Sequence, residues 1–215
     1  PASAAPQCRA LEFSLFLTVP PAAAFMLSAG PILAACVESE EFSSADVNAS
    51  AAELMVYEAG LPAYVISKAL IPGYFARKDT KTPVRFAIIS LVINTALNLI
   101  LIQYYAHVGL AAGTAIAAWV NAGLLYWGLK RRGHLTLERQ TIVRLSKCLL
   151  ATMIMAMTLY FASGMIDKMF VEIGTNRLIG LALLILTGVA VYGVSVLALR
   201  TISIIDLKSF VRRNA

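Results

Sequence analysis

Apolar residues run in long unbroken blocks along this chain, separated by short polar links. A helix needs about 20 mostly apolar residues to cross the hydrocarbon core of a bilayer. Six stretches meet that requirement: Leu11–Val37, Leu54–Ala76, Val84–Tyr105, Gly109–Leu129, Leu145–Met165 and Leu178–Leu199. No Gly/Ser-rich linker divides them, so the pattern predicts one all-α, polytopic membrane domain spanning residues 1–215. Pro20, Pro21 and Pro31 interrupt the first stretch, which should kink or end early there. In the tail, 203–213, Ile204, Leu207 and Val211 share one face, with Lys208 and Arg212 nearby. Two readings fit the tail: an interfacial amphipathic helix and a short solvated stop.

Composition agrees with the membrane reading. Of 215 residues, 59% are hydrophobic and 14% charged, and the mean hydropathy is +0.76. The charged share is roughly half that of a globular domain. The net charge of +6 lies in clusters between the apolar blocks, not on a face interleaved with aromatics. Nucleic acid is therefore not an expected partner. The first link carries Glu38, Glu40, Glu41, Asp46 and Glu53 and no basic residue. The second carries Arg77, Lys78, Lys81 and Arg85, and the fourth Lys130, Arg131, Arg132, Arg139, Arg144 and Lys147. Lys and Arg gather on the cytoplasmic side of membrane proteins. The second and fourth links and both termini are thus expected in the cytoplasm, and the acidic first link on the far side.

Cys8, Cys36 and Cys148 are widely spaced, and His107 and His134 lie near segment ends, so no disulfide framework or metal site is expected. No phosphate-binding loop, nucleophile elbow or carboxylate pair is present, and neither enzymatic chemistry nor a cofactor is expected. Residue 1 is Pro and no cleavable signal pattern precedes the first stretch, so the chain is expected to be a fragment of a longer protein.

The polar residues inside the apolar blocks are the candidates for function. Lys68 lies between Ile66 and Leu70 in the second stretch. Its stem either snorkels toward the cytoplasmic surface, about 12 Å away along the helix, or it lines a hydrated cavity and meets an anionic substrate. Glu58, one turn inside the far end, is either an interfacial carboxylate or part of the same cavity. It is ten positions from Lys68, about 15 Å along the helix, too far for an ion pair. Pro62 removes the usual donor to the carbonyl of Glu58, and Pro72 that to the carbonyl of Lys68. A helix broken or hinged at both points and bordering water is the expectation. In the third stretch Ser90, Asn94 and Asn98 form a polar stripe, either interhelical hydrogen-bond glue or a cavity wall. In the fourth, Gly109, Gly113, Ala117 and Asn121 form a small-residue stripe suited to close helix packing. Met153, Met155 and Met157 read as lipid-facing or packing residues.

The block from Gly60 to Ile88, GLPAYVISKALIPGYFARKDTKTPVRFAI, resembles the signature of the MurJ (MviN) lipid II flippases, within the multidrug/oligosaccharidyl-lipid/polysaccharide exporter superfamily. Arg9–Ala10–Leu11, Thr18–Val19–Pro20, Val108–Gly109–Leu110, Ala117–Ala118–Trp119 and Asn121 extend the likeness. The first link departs from it: ESEEF, 38–42, stands where the family carries an Arg-Gly-Ala-Phe-like stretch. The resemblance implies the last six of fourteen transmembrane helices, with 9–133 in the C-terminal lobe and 145–200 as two extra helices forming a groove for a lipid tail. It implies a substrate, lipid II, moved across the bacterial inner membrane by alternating access. The other implied partners are membrane lipids and an N-terminal lobe. Lys68, Asn94, Asn98 and Glu58 are then the substrate-binding candidates and Pro62 and Pro72 the hinges. The alternatives are an exporter of another polyprenyl-linked glycan or a drug, and a non-transporting membrane module.

Overall fold

A computed structural model describes residues 4–37, 44–133, 139–173 and 177–199. They form five α-helices: α1 (Ala4–Val37), α2 (Ser44–Phe75), α3 (Lys81–Arg131), α4 (Arg139–Ile173) and α5 (Arg177–Ala198). All five are long and apolar enough to cross a membrane. The chain is all-α and polytopic, as its hydrophobic pattern requires, with one difference from the six separate helices expected. The third and fourth stretches are joined in α3, whose helical geometry breaks only at Ala106 (φ 48°, ψ −126°).

A straight helix of 51 residues would be about 76 Å long, well over twice the thickness of the hydrocarbon core. The reversal at Ala106 folds α3 into two arms, 81–105 and 107–131, that pack on each other. The two stripes read from the sequence form the seam. Ser90 Oγ donates to the carbonyl of Ala117 at 2.7 Å. Gly113 lies directly against Asn98, and Gly109 against the backbone of Leu101. Neither glycine has room for a Cβ, so these small residues set how closely the arms approach.

Of the kink or early end expected at the prolines of α1, the early end does not occur: the helix runs on past Pro20, Pro21 and Pro31. α1 is the central element, packing on α2 on one side and on α4 and α5 on the other. Toward α2, Leu11 and Leu15 join Leu70, Tyr74, Leu125 and Leu129 in one buried cluster. Toward α4 and α5, Ala23, Ala24 and Leu27 pack against Met155, Leu159 and Leu184. Met155 is buried while Met153 and Met157 are exposed, so the three methionines divide between packing and the outer surface. Polar contacts pin the same junction: Tyr192 donates to the carbonyl of Phe16 at 3.1 Å, and Arg144 pairs with Glu12 at 3.1 Å. The acidic stretch 38–42 and the tail 203–213 lie outside the described residues.

Candidate functional site

α2 has two faces of opposite character. Gly60, Ala63, Ser67, Leu70 and Tyr74 recur at helical spacing and are buried. Gly60 is the point of closest approach to α3: a Cβ there would lie 2.9 Å from the Cα of Ala115. Lower down, Asn121 reaches Ser67 Oγ at 3.4 Å, and the Tyr74 hydroxyl donates to the carbonyl of Leu125 at 2.7 Å. The opposite face carries Tyr57, Leu61, Tyr64, Lys68, Pro72 and Phe75, all exposed. No other described helix covers it.

Among these exposed residues of the uncovered face, Tyr57 to Phe75, Lys68 carries the single full charge. Neither of the ion pairs Arg132–Asp79 and Arg144–Glu12 involves it. Its ammonium lies over the ring of Tyr64, 4.9 Å from the centroid. Tyr64 is one turn toward the N-terminus of α2, so the side chain points away from the basic end of the helix. Snorkelling toward that end would require the opposite direction. Sequence reasoning passed over Tyr64; its signal is a tyrosine four residues before an intramembrane lysine.

The other candidates are not gathered around Lys68. Glu58 is half-buried on α2, and one of its carboxyl oxygens, Oε2, is enclosed without a hydrogen-bond partner. Asn98 donates to Asn94 Oδ1 at 2.5 Å, while its own Oδ1 is buried and unpartnered in the seam beside Gly113. Gly113 is two residues from Ala115, which Gly60 touches. That places Asn98 near the level of Gly60, eight residues or about 12 Å along α2 from Lys68.

Pro62 and Pro72 do not break α2, which remains helical from Ser44 to Phe75. Beside the Glu58 carbonyl that Pro62 leaves without its helical donor, the next carbonyl, that of Ala59, accepts from Trp119 Nε1 at 3.0 Å, which ties this turn to α3.

At the basic end, a knot of side chains joins three helix ends. The N–H of Asp79 bonds to the carbonyl of Tyr74 and that of Lys78 to Phe75, closing α2 with a Schellman turn. Lys78 occupies its left-handed position (φ 57°), which usually belongs to glycine. The Asp79 carboxylate then accepts from the Thr82 backbone N–H at 3.1 Å and the Thr82 hydroxyl at 2.7 Å, capping α3. It also pairs with Arg132, just past the far end of α3, and Arg132 in turn donates to Thr82 Oγ1 at 3.1 Å. The Thr82 hydroxyl first, and Arg132 next, hold the Asp79 carboxyl down at about 2. The two basic links therefore lie at the same end of the molecule, as their charge pattern requires. Asp79 stands out in the sequence as the single acid of a basic link, but its partner is 53 residues away.

Comparison with known proteins agrees with this geometry. The family model for the lipid II flippase MurJ matches residues 4–182. The chain is 42% identical over 156 residues to the probable lipid II flippase MurJ of Rhizobium meliloti (strain 1021), covering 73% of this chain and 29% of that protein. It is 36% identical over 197 residues to the corresponding protein of Vibrio cholerae serotype O1, covering 90% of this chain and 37% of that one. A solved structure described as lipid II flippase MurJ in an inward closed conformation superposes with a TM-score of 0.72 at 28% identity, over 88% of this chain and 37% of that one. The chain thus spans about a third of the length of the relatives it matches. It belongs to the MurJ family of lipid II flippases.

Proposed function

We propose that this chain is the C-terminal part of a lipid II flippase, which moves the lipid-linked peptidoglycan precursor across the bacterial inner membrane. Both ends of the chain lie in the cytoplasm in this reading, with Asp79 and Arg132 at the cytoplasmic surface. Transport proceeds by alternating access, one lobe rocking against another around a central site, and no covalent bond is made or broken.

The observation that carries the reading is Lys68: a cation within a membrane span, without a carboxylate partner among the described residues, on the face of α2 that no described helix covers. In lipid that position is unfavourable by several kcal/mol, roughly 2.5–3.5 on insertion scales. Against a hydrated cavity shared with a second lobe it is favourable, and the diphosphate of a polyprenyl-linked precursor is the complementary charge. In this reading Glu58 stands farther along α2 from Lys68, Asn94 and Asn98 reach the substrate only if the seam of α3 opens during transport, and Pro62 and Pro72 let α2 flex between states. The remaining partners are membrane lipids, which the basic links meet at the surface, and the other lobe.

The test is a chimaera in which this chain replaces the matching stretch of the Rhizobium meliloti relative, expressed in a bacterium depleted of its own flippase. The chimaera restores growth, Lys68→Ala abolishes the rescue and Lys68→Arg keeps part of it. Normal rescue by Lys68→Ala removes Lys68 from the mechanism. Failure of the chimaera beside a working parent protein supports a non-transporting membrane module instead.

A further inference from the structure

Lys68 has a neighbour whose chemistry suits a positioning role. The side chain of a helical residue leans toward the N-terminus, over the turn that precedes it. The residue that meets Lys68 there is Tyr64, 59% exposed, with its ring 4.9 Å from the ammonium. Among the exposed described residues of the uncovered face, the other neighbours within about two turns of Lys68 are Leu61, Pro72 and Phe75, none of them charged. Glu58 is ten residues away, and Ser67 points to the opposite, buried face, where it bonds to the Ala63 carbonyl at 3.0 Å.

We propose that Tyr64 is the positioning residue of the transport site, its ring holding the Lys68 ammonium on the uncovered face and turned away from the cytoplasmic end of α2. A ring face attracts a cation through its quadrupole and brings no charge of its own. A carboxylate in its place would neutralise Lys68. The ring steadies the ammonium and leaves its full charge for an anionic headgroup. It also opposes snorkelling, by offering the stem a favourable resting place in the other direction. The role assigned to Tyr64 rests on the flippase reading, but its contact with Lys68 does not.

Ring fluorination tests both parts in the chimaera, because it weakens the quadrupole stepwise at nearly constant size. Residue 64 is varied as Tyr64→Phe and as its mono-, di- and trifluorinated forms. Two readouts are taken: acylation of Lys68 by a water-soluble amine reagent, followed by peptide mass spectrometry, and lipid II translocation in proteoliposomes. Tyr64→Phe behaves as the parent. Each added fluorine then releases the ammonium further, so acylation rises and translocation falls, each by about three- to tenfold over the series. In a Lys68→Ala background the series has no effect on translocation. A residue that merely packs leaves acylation flat across the series, and that result overturns the proposal. Graded acylation with translocation indifferent even to Lys68→Ala supports the contact and overturns the flippase role of Lys68.

Discussion

Asp79 and Arg132 form an ion pair across 53 residues of chain, and with it the end of α2 and both ends of α3 become one unit. The guanidinium also lies 6.0 Å from the ring of Tyr74, the most enclosed aromatic residue of the α1–α2–α3 core. The knot therefore connects the basic surface to the packing between helices.

The knot should respond to acid in a defined window. Its hydrogen bonds lower the Asp79 carboxyl from the ordinary 3.8 to about 2. A carboxyl depressed in the folded state contributes stability that is complete above its unfolded value and is lost as pH falls through its folded value. Thermal unfolding in detergent is expected to be insensitive to this group above about pH 5 and to weaken between about pH 4 and pH 2. Asp79→Asn should lower the melting temperature at neutral pH and remove part of the acid-dependent loss. An unchanged acid profile in Asp79→Asn would show that other groups control it.

Tyr74 and Gly128 should be energetically coupled. A Cβ at Gly128 would stand inside contact distance of the Tyr74 hydroxyl and 3.0 Å from the Phe86 ring. Tyr74→Phe forfeits the buried bond to Leu125 and is expected to destabilise by about 0.5–1.5 kcal/mol. Gly128→Ala should destabilise by about 1–3 kcal/mol through overpacking. The double variant should be less destabilised than the sum by about 1 kcal/mol, because removing the hydroxyl makes room for the methyl. Denaturation of the four proteins in detergent measures the coupling, and strict additivity would refute it.

Gly60 controls the spacing of α2 and α3. Its neighbour across the interface is backbone, the Cα of Ala115 at 2.9 Å from a built Cβ, and backbone cannot rotate aside. Gly60→Ala is expected to destabilise by about 1–3 kcal/mol and Gly60→Val by more. Cysteine cross-linking between Ser67→Cys and Asn121→Cys, a pair already in contact, should become slower in Gly60→Ala. Cross-linking at the original rate would mean that the helices tolerate the methyl without moving apart.

Two turns carry side chains where glycine is favoured. Ala106 (φ 48°, ψ −126°) reverses α3, and Lys78 (φ 57°) closes α2. Ala106→Gly and Lys78→Gly are each expected to raise stability by about 1 kcal/mol, since glycine adopts positive φ without a Cβ clash. Thermal melts of the single variants and of the pair check this, with additive gains expected because the two turns lie at opposite ends of the arm 81–105.

Much of the architecture was legible in local sequence. Lengths of apolar residues report crossings because a bilayer has a fixed thickness, and the Lys/Arg clusters mark two links that meet at one end through Asp79 and Arg132. The stripes Ser90–Asn94–Asn98 and Gly109–Gly113–Ala117–Asn121 also announced a close interface. That they face each other depends on the reversal at Ala106, where no Gly or Pro marks the turn. The prolines misled in the other direction. Pro20, Pro21 and Pro31 in α1, and Pro62 and Pro72 in α2, lie inside helices that continue. Packing against neighbouring helices holds a membrane helix together where a missing N–H would end an isolated one, and Trp119 ties the turn before Pro62 to α3 through the Ala59 carbonyl.

Lys68 shows where the boundary falls. By itself the sequence determined that a cation lies within a membrane span of a MurJ-family chain, because composition and motif are properties of the chain alone. Only the tertiary structure decided that this cation is on the uncovered face of α2, rests on Tyr64, and lies a considerable distance from Asn98. It likewise decided that Asp79 meets Arg132. The direction of a side chain and the identity of its neighbours follow from which helix faces pack, and that depends on residues dozens of positions apart.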